Sequence, residues 1–297
     1  MVHMRKLILP LILFTAFIFS SKLSAQEIQF REVCKLPEKN VESSGLEINN
    51  RNELWSFNDS GGEPELYSFD TTGKLLRTVI IKNAKNVDWE EMTQDDKGNF
   101  YICDFGNNKN ERKDLVIYKI PNPSNFFNDT IEAEPILFNY PDQKDFPPAK
   151  ENMNFDMEAC FYYQDSIYLF SKNRTEPYSG YLRVYTVPTN GGTYTARLVD
   201  SIYMGQGPYF ADWITAADIS PDKKTFILLS NNKFLLFKIK DGVPLTKSEY
   251  TTIFFPALSQ KEGICYITPE ELYLTDEVNK ETGGWLYYLN VKNLLAP

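Results

Sequence analysis

The chain has 297 residues, with 31 Lys and Arg against 40 Asp and Glu, and a formal charge of −9. That acidity disfavours nucleic acid and anionic lipid and suits cations, sugars or uncharged partners. The single histidine is His3, so the rest of the chain can build no Ser-His-Asp triad, no Cys-His pair and no His-ligated zinc.

Residues 1–25 read as an export signal. Arg5 and Lys6 form a basic start, Leu7 to Ser20 is almost wholly apolar, and Leu23-Ser24-Ala25 offers small residues for cleavage after Ala25. The apolar run is too short for a membrane span. The expected product is a secreted or periplasmic, soluble monomer, residues 26–297, forming one domain. Loss of the signal takes the formal charge to −12. Cys34, Cys103, Cys160 and Cys265 all lie in apolar stretches without a CxxC pair. Buried free thiols are expected ahead of a disulfide.

From Ile28 onward the chain reads as β. After a first strand, Ile28 to Leu36, a cassette returns five times. Each copy opens on a short box: Ser44-Gly45-Leu46, Glu90-Glu91-Met92, Glu158-Ala159-Cys160, Ala217-Asp218-Ile219 and Glu262-Gly263-Ile264. Each then runs through a turn into an apolar strand that ends on a small polar residue: Asn58, Asp104, Ser171, Ser230 and Asp276. The step from box to strand end is 13 or 14 residues in every copy. Turn formers such as Asn49-Asn50, Asp95 to Gly98 and Ser220-Pro221-Asp222 separate the two strands. A third strand centres on Tyr67, Tyr118, Tyr185, Phe237 or Tyr287, and a fourth is visible at Leu75 to Ile81, Pro135 to Tyr140, Ala196 to Ile202 and Thr251 to Phe255.

Repeats with a common ruler and little identity mean stacked copies of one unit that cannot bury its apolar face alone. Four antiparallel strands per unit predict an all-β, five-bladed β-propeller. Intervals of 68 and 59 residues between boxes, against 46 and 45 elsewhere, leave a six-bladed ring as the alternative. The last cassette lacks a fourth strand, so the strand at Ile28 is expected to complete it and close the ring. Pro141 to Phe155 is polar and proline-rich, a loop suited to a lid or to disorder.

In a propeller each box and each strand end reach the same mouth of the ring. Crowded carboxylates there repel one another, and a cation relieves them. Oxygen ligands without histidine point to Ca²⁺, with Mg²⁺ second. The expected ligands are Glu90, Asp104, Glu158, Glu262 and Asp276. Asp59, Arg112, Arg174 and Trp89 are candidates for ligand contact, the arginines for an anionic group and Trp89 as an aromatic platform. The competing reading makes the arginines surface ion-pair partners and Trp89 a packing residue.

The stretches ESSGLEI (Glu42 to Ile48), LWSFNDSGGEPELYSFD (Leu54 to Asp70), NVDWEEMTQDDKGNFYICDFGNN (Asn86 to Asn108) and LVIYKIPNP (Leu115 to Pro123) resemble a group of uncharacterised secreted bacterial propellers. That group is similar to the SdiA-regulated family and, more distantly, to calcium-dependent propellers of the phytase and lactonase type. The distant resemblance implies axial acids holding an ion, and the matching positions are Glu90, Asp104, Glu158 and Glu262. Lactonase-type relatives use a histidine that residues 26–297 lack, so activity is not carried over. The expected function is a calcium-binding platform for a small molecule, glycan or protein surface. The alternative is a calcium-dependent hydrolase of a phosphoester, lactone or glycoside. No catalytic residue is assigned.

Overall fold

A computed structural model of the protein describes residues 31–49 and 51–295. The export segment lies outside the described residues, as does the start of the strand expected from Ile28. The chain forms five sheets in a ring, a five-bladed β-propeller.

Blade 1 comprises Ser43–Ile48, Leu54–Asn58, Glu65–Phe69 and Leu75–Ile81 from the axis outward. Blade 2 comprises Trp89–Gln94, Phe100–Asp104, Val116–Ile120 and Glu134–Asn139. Blade 3 is Met157–Tyr163, Ser166–Ser171, Tyr181–Pro188 and Arg197–Tyr203. Blade 4 is Ile214–Ile219, Thr225–Ser230, Lys233–Lys238 and Glu249–Phe254. Blade 5 is Lys261–Thr268, Glu271–Asp276 and Trp285–Asn290, with Arg31–Lys35 antiparallel to the last of these.

The two long intervals each supply an extra strand. Thr130–Ile131 runs parallel to the outer strand of blade 1, and Gly192–Thr195 parallel to that of blade 2. The added chain therefore ties a blade to the one before it and builds no sixth sheet.

The hairpins follow from local chemistry. Asn49 Oδ1 accepts from the amides of Arg51 and Glu53, and Asp95 Oδ1 from those of Lys97 and Asn99. Gln164 and Asp165 both take positive φ, 49° and 57°, as a two-residue primed turn requires. The loop 141–155 is pinned rather than free: Gln143 Nε2 donates to Asn110 O at 2.8 Å, and Phe155 stacks on Tyr140.

Apolar side chains fill the seams between blades. Between blades 3 and 4, Phe161 meets Phe170 and Phe226, all essentially without solvent exposure. Truncating such a ring to Ala costs about 3–5 kcal/mol. Among the described residues, four seams hold at least thirteen buried apolar residues each, whereas the seam between blades 5 and 1 holds six.

Every inner strand carries a β-bulge near its start, and this device builds the site. The register slips between Ser44 and Leu46, Trp89 and Glu91, Met157 and Ala159, Ile214 and Ala216, and Lys261 and Gly263. The extra residues are Gly45, Glu90, Glu158, Thr215 and Glu262. A bulge re-aims a side chain at a sheet rim. Two boxes are therefore out of register with the sequence reading: Gly45 and Thr215 take the places expected for Ser44 and Ala217.

Candidate functional site

The bulge glutamates Glu90, Glu158 and Glu262 gather at one mouth of the ring, where Glu158 acts electrostatically on both of the others. Residues just past the second strands join them: Asp59, Lys172, Asn231 and Glu277. So do Asp88 and Asp156, which precede inner strands.

The acids divide into two groups. Lys172 serves one of them. Its Nζ lies 2.9 Å from Glu158 Oε2, and Arg174 Nη2 lies 3.5 Å from Glu158 Oε1. Burial works against the Lys172 charge, but Glu158, Glu262, Asp156 and Glu90 outweigh it and hold the ammonium above its ordinary range. Burial pushes Glu158 up to about 8 although Lys172 pulls the other way.

The second group is Asp59, Asp88 and Glu90. One carboxylate oxygen of each lies within 4.8 Å of the others. No hydrogen bond or ion pair to the Glu90 carboxylate occurs among the described residues. Burial, then the charges of Glu158 and Asp59, push Glu90 well above the usual range. Burial lifts Asp59 to about 6; burial and then Asp59 lift Asp88 to about 7.

The scaffold around this group is specific. Asn86 Nδ2 donates to Asn58 O at 2.8 Å and Asp59 O at 2.6 Å, stitching the loop before blade 2 to blade 1. Asp104 accepts from the amide of Asp88 at 3.1 Å and is paired with Arg112 Nη2 at 2.8 Å. Gly106 closes the cradle: a Cβ there would stand 2.3 Å from Glu90 Oε1 and 2.5 Å from Asp88 Oδ2. Only glycine lets the backbone come so near two carboxylates.

Of the residues expected as ion ligands, the structure draws Glu90, Glu158 and Glu262 together. Asp104 and Asp276 are otherwise engaged. Asp276 accepts from the amide of Trp285 and the hydroxyl of Tyr287, each at 2.9 Å. Arg112 and Arg174 are both paired, Arg112 also with Asp114 at 3.1 Å and Arg174 with Asp156 at 2.6 Å, so neither offers a free guanidinium to an anion. Trp89 is fully buried edge-on to Phe57, with Nε1 on Lys85 O. It presents no face to a ligand, because it fills the seam between blades 1 and 2. Trp213 at this mouth is half-buried, and its ring lies 4.5 Å from the Arg174 guanidinium.

Sequence reasoning missed Asp88, Asp156 and Lys172. Asp88 stands two residues ahead of its box, and Lys172 directly follows the strand end Ser171. Glu91, the neighbour of Glu90, turns inward: it accepts from Met92 N at 2.9 Å and, across the axis, from Ala217 N of blade 4 at 3.0 Å. The four cysteines are free, and Cys103 and Cys160 touch across the seam of blades 2 and 3, sulfur to sulfur 3.2 Å.

No protein-family model and no curated protein matches the chain. Solved structures share the propeller architecture at low identity. A gluconolactonase from Xanthomonas campestris, XC5397, is similar at 9% identity over 84% of this chain and 72% of that one, TM-score 0.47. A streptogramin B lyase matches at 10% identity over 89% of this chain and 87% of that one, TM-score 0.44. The β-propeller domain of Cps50 (Swd1) from Myceliophteria thermophila matches at 9% identity, covering 89% of this chain and 100% of that domain, TM-score 0.45. Likeness at this level concerns the fold alone.

Proposed function

We propose that the protein binds Ca²⁺ on Asp59, Asp88 and Glu90 at the acidic mouth and presents that mouth to a ligand. The observation that carries the reading is the three carboxylates within 4.8 Å of one another. Ca²⁺ binds oxygens at about 2.3–2.6 Å, so two ligands of one ion stand at most about 5 Å apart. Asp59 Oδ1 is buried and accepts no hydrogen bond among the described residues, as an oxygen reserved for an ion would be. The space kept clear by Gly106 fits the same purpose. Mg²⁺ fits second, because it demands a tighter octahedron. Glu158 and Glu262 face the Lys172 ammonium and stand outside this ligand set.

The test is thermal melting with excess chelator and with millimolar Ca²⁺. Ca²⁺ at about 100 times its dissociation constant stabilises by about 2.7 kcal/mol. Asp88→Asn should abolish that shift. An equal melt with and without Ca²⁺ in the wild type sinks the assignment. The same reading keeps the chain outside the cytoplasm, with residues 1–25 removed; amino-terminal sequencing of exported protein should begin at Gln26.

A further inference from the structure

Beside the Asp59–Asp88–Glu90 group, toward blades 4 and 5, lies a cavity of about 990 Å³. Phe210, Trp213 and Trp285 supply aromatic lining, and Asn231, Glu262 and Glu277 supply polar lining. Glu262 is only 7% exposed, yet its Oε2 accepts no hydrogen bond among the described residues. Asn231 Oδ1 is likewise buried and without a donor. Buried polar atoms in native proteins are nearly always partnered, so orphaned acceptors lining a cavity mark a missing donor.

Neither lysine at the cavity supplies it: Lys35 Nζ donates to Gly283 O and lies over the Trp285 ring. Lys172 lines the cavity but makes its ion pair with Glu158 at 2.9 Å. An ionised carboxylate only accepts, and a bound cation favours that form, so the partner that fits brings N–H groups. A neutral polyol would bring donors but no charge, whereas Lys172, shared with Glu158, does not offset the burial and neighbouring acids that push Glu262 well above its ordinary range. An ammonium brings donors and charge together, and aromatic faces attract organic cations. Phe210 and Leu258, both exposed at the cavity, offer apolar contact to the body that carries the charge.

We propose that this cavity is a binding site for an organic ammonium ion, a primary amine on an apolar frame, which donates to Glu262 and Asn231 while its frame packs on Phe210 and Trp213. The site names a ligand class for the mouth described above, but it uses none of the three carboxylates assigned to Ca²⁺.

The probes are benzylamine and its neutral analogue benzyl alcohol, titrated calorimetrically into the full chain at pH 7, once in chelator and once in Ca²⁺. Saturable benzylamine binding, at least tenfold tighter than benzyl alcohol, is expected under both conditions. Glu262→Gln should weaken benzylamine at least tenfold, and Phe210→Ala, on the exposed rim where folding is not at stake, several-fold. Asp88→Asn should remove the Ca²⁺ response and leave benzylamine binding intact, so the two assignments fail separately. Equal binding of the two probes, no binding of either, or unchanged affinity in both Glu262→Gln and Phe210→Ala overturns the proposal.

Discussion

Replacing Lys172 by Met removes an ammonium that stands among the buried acids Glu158, Glu262, Asp156 and Glu90. Its Nζ lies 2.9 Å from Glu158 Oε2, with side chains 13% and 3% exposed. At an effective dielectric of about 20 that contact is worth about 6 kcal/mol of bare Coulomb attraction. Breaking a buried pair costs about 3–5 kcal/mol in practice. Arg174 remains near Glu158, so the lower end, about 3 kcal/mol, is expected at pH 9, where Glu158 is ionised. For a domain of this size the melting temperature falls by roughly 2–4 °C per kcal/mol, hence by roughly 6–12 °C. The pH dependence has a definite sign. Glu158 is already raised to about 8 in the folded protein, against an ordinary 4.5. A carboxyl raised on folding contributes stability that is present below its unfolded pKa and lost as pH rises through its folded one. Without Lys172 the folded value climbs further, so the deficit of the variant should open chiefly as pH rises through about 8 toward 9. Differential scanning fluorimetry between pH 5 and pH 9, in chelator, measures it. A variant melting within a degree of wild type at pH 9, or a gap that narrows as pH rises, refutes the view that Lys172 neutralises this cluster.

Three other outcomes are expected. Gly106→Ala should abolish the Ca²⁺-induced shift in melting temperature, since the new methyl would displace Glu90 and Asp88; an unchanged shift would separate the cradle from the ion. Glu91→Ala leaves the amides of Met92 and Ala217 without an acceptor and should lower stability by about 2–4 kcal/mol, read as a lower urea midpoint at unchanged m-value. At the opposite mouth, burial raises Asp218 to about 7 despite hydrogen bonds from the amides of Tyr266 and Ile219. Its contribution is present below its ordinary 3.8 and lost as pH rises through 7. Asp218→Asn should therefore flatten the decline of melting temperature between pH 4 and pH 7, by about 2 kcal/mol after discounting for solvent at this half-buried site. A slope identical to wild type would remove Asp218 as its source.

The blades were legible because strand alternation and turn chemistry are local. Asn49, Asp95 and Ser220 cap their hairpins through their own side chains, so the ruler between box and strand end survives divergence. The parallel ties at Thr130–Ile131 and Gly192–Thr195 were not legible: two or four residues carry no period, and their partners are distant in sequence. The convergence of the glutamates was readable from their place in the cassette, but the bulge that aims them was not. A bulge adds a residue without altering composition, which is why Gly45 and Thr215 slipped past a reading that chose Ser44 and Ala217. Division of the acids by Lys172 and Arg174 depends on side-chain reach across blades, which no single-strand pattern encodes.

The uneven joints have a mechanical consequence. Blades 1, 2 and 3 are laced together at their rims by borrowed strands, while among the described residues the first and last blades meet over six buried apolar side chains. A closed hoop parts at its poorest clasp. Slow breathing of the molecule should start there, and amide protons of Ser43–Ile48 and Lys261–Thr268 should trade with deuterium sooner than those of Met157–Tyr163. Such a gap would admit water along the flank of the acidic mouth before any other part of the barrel loosened.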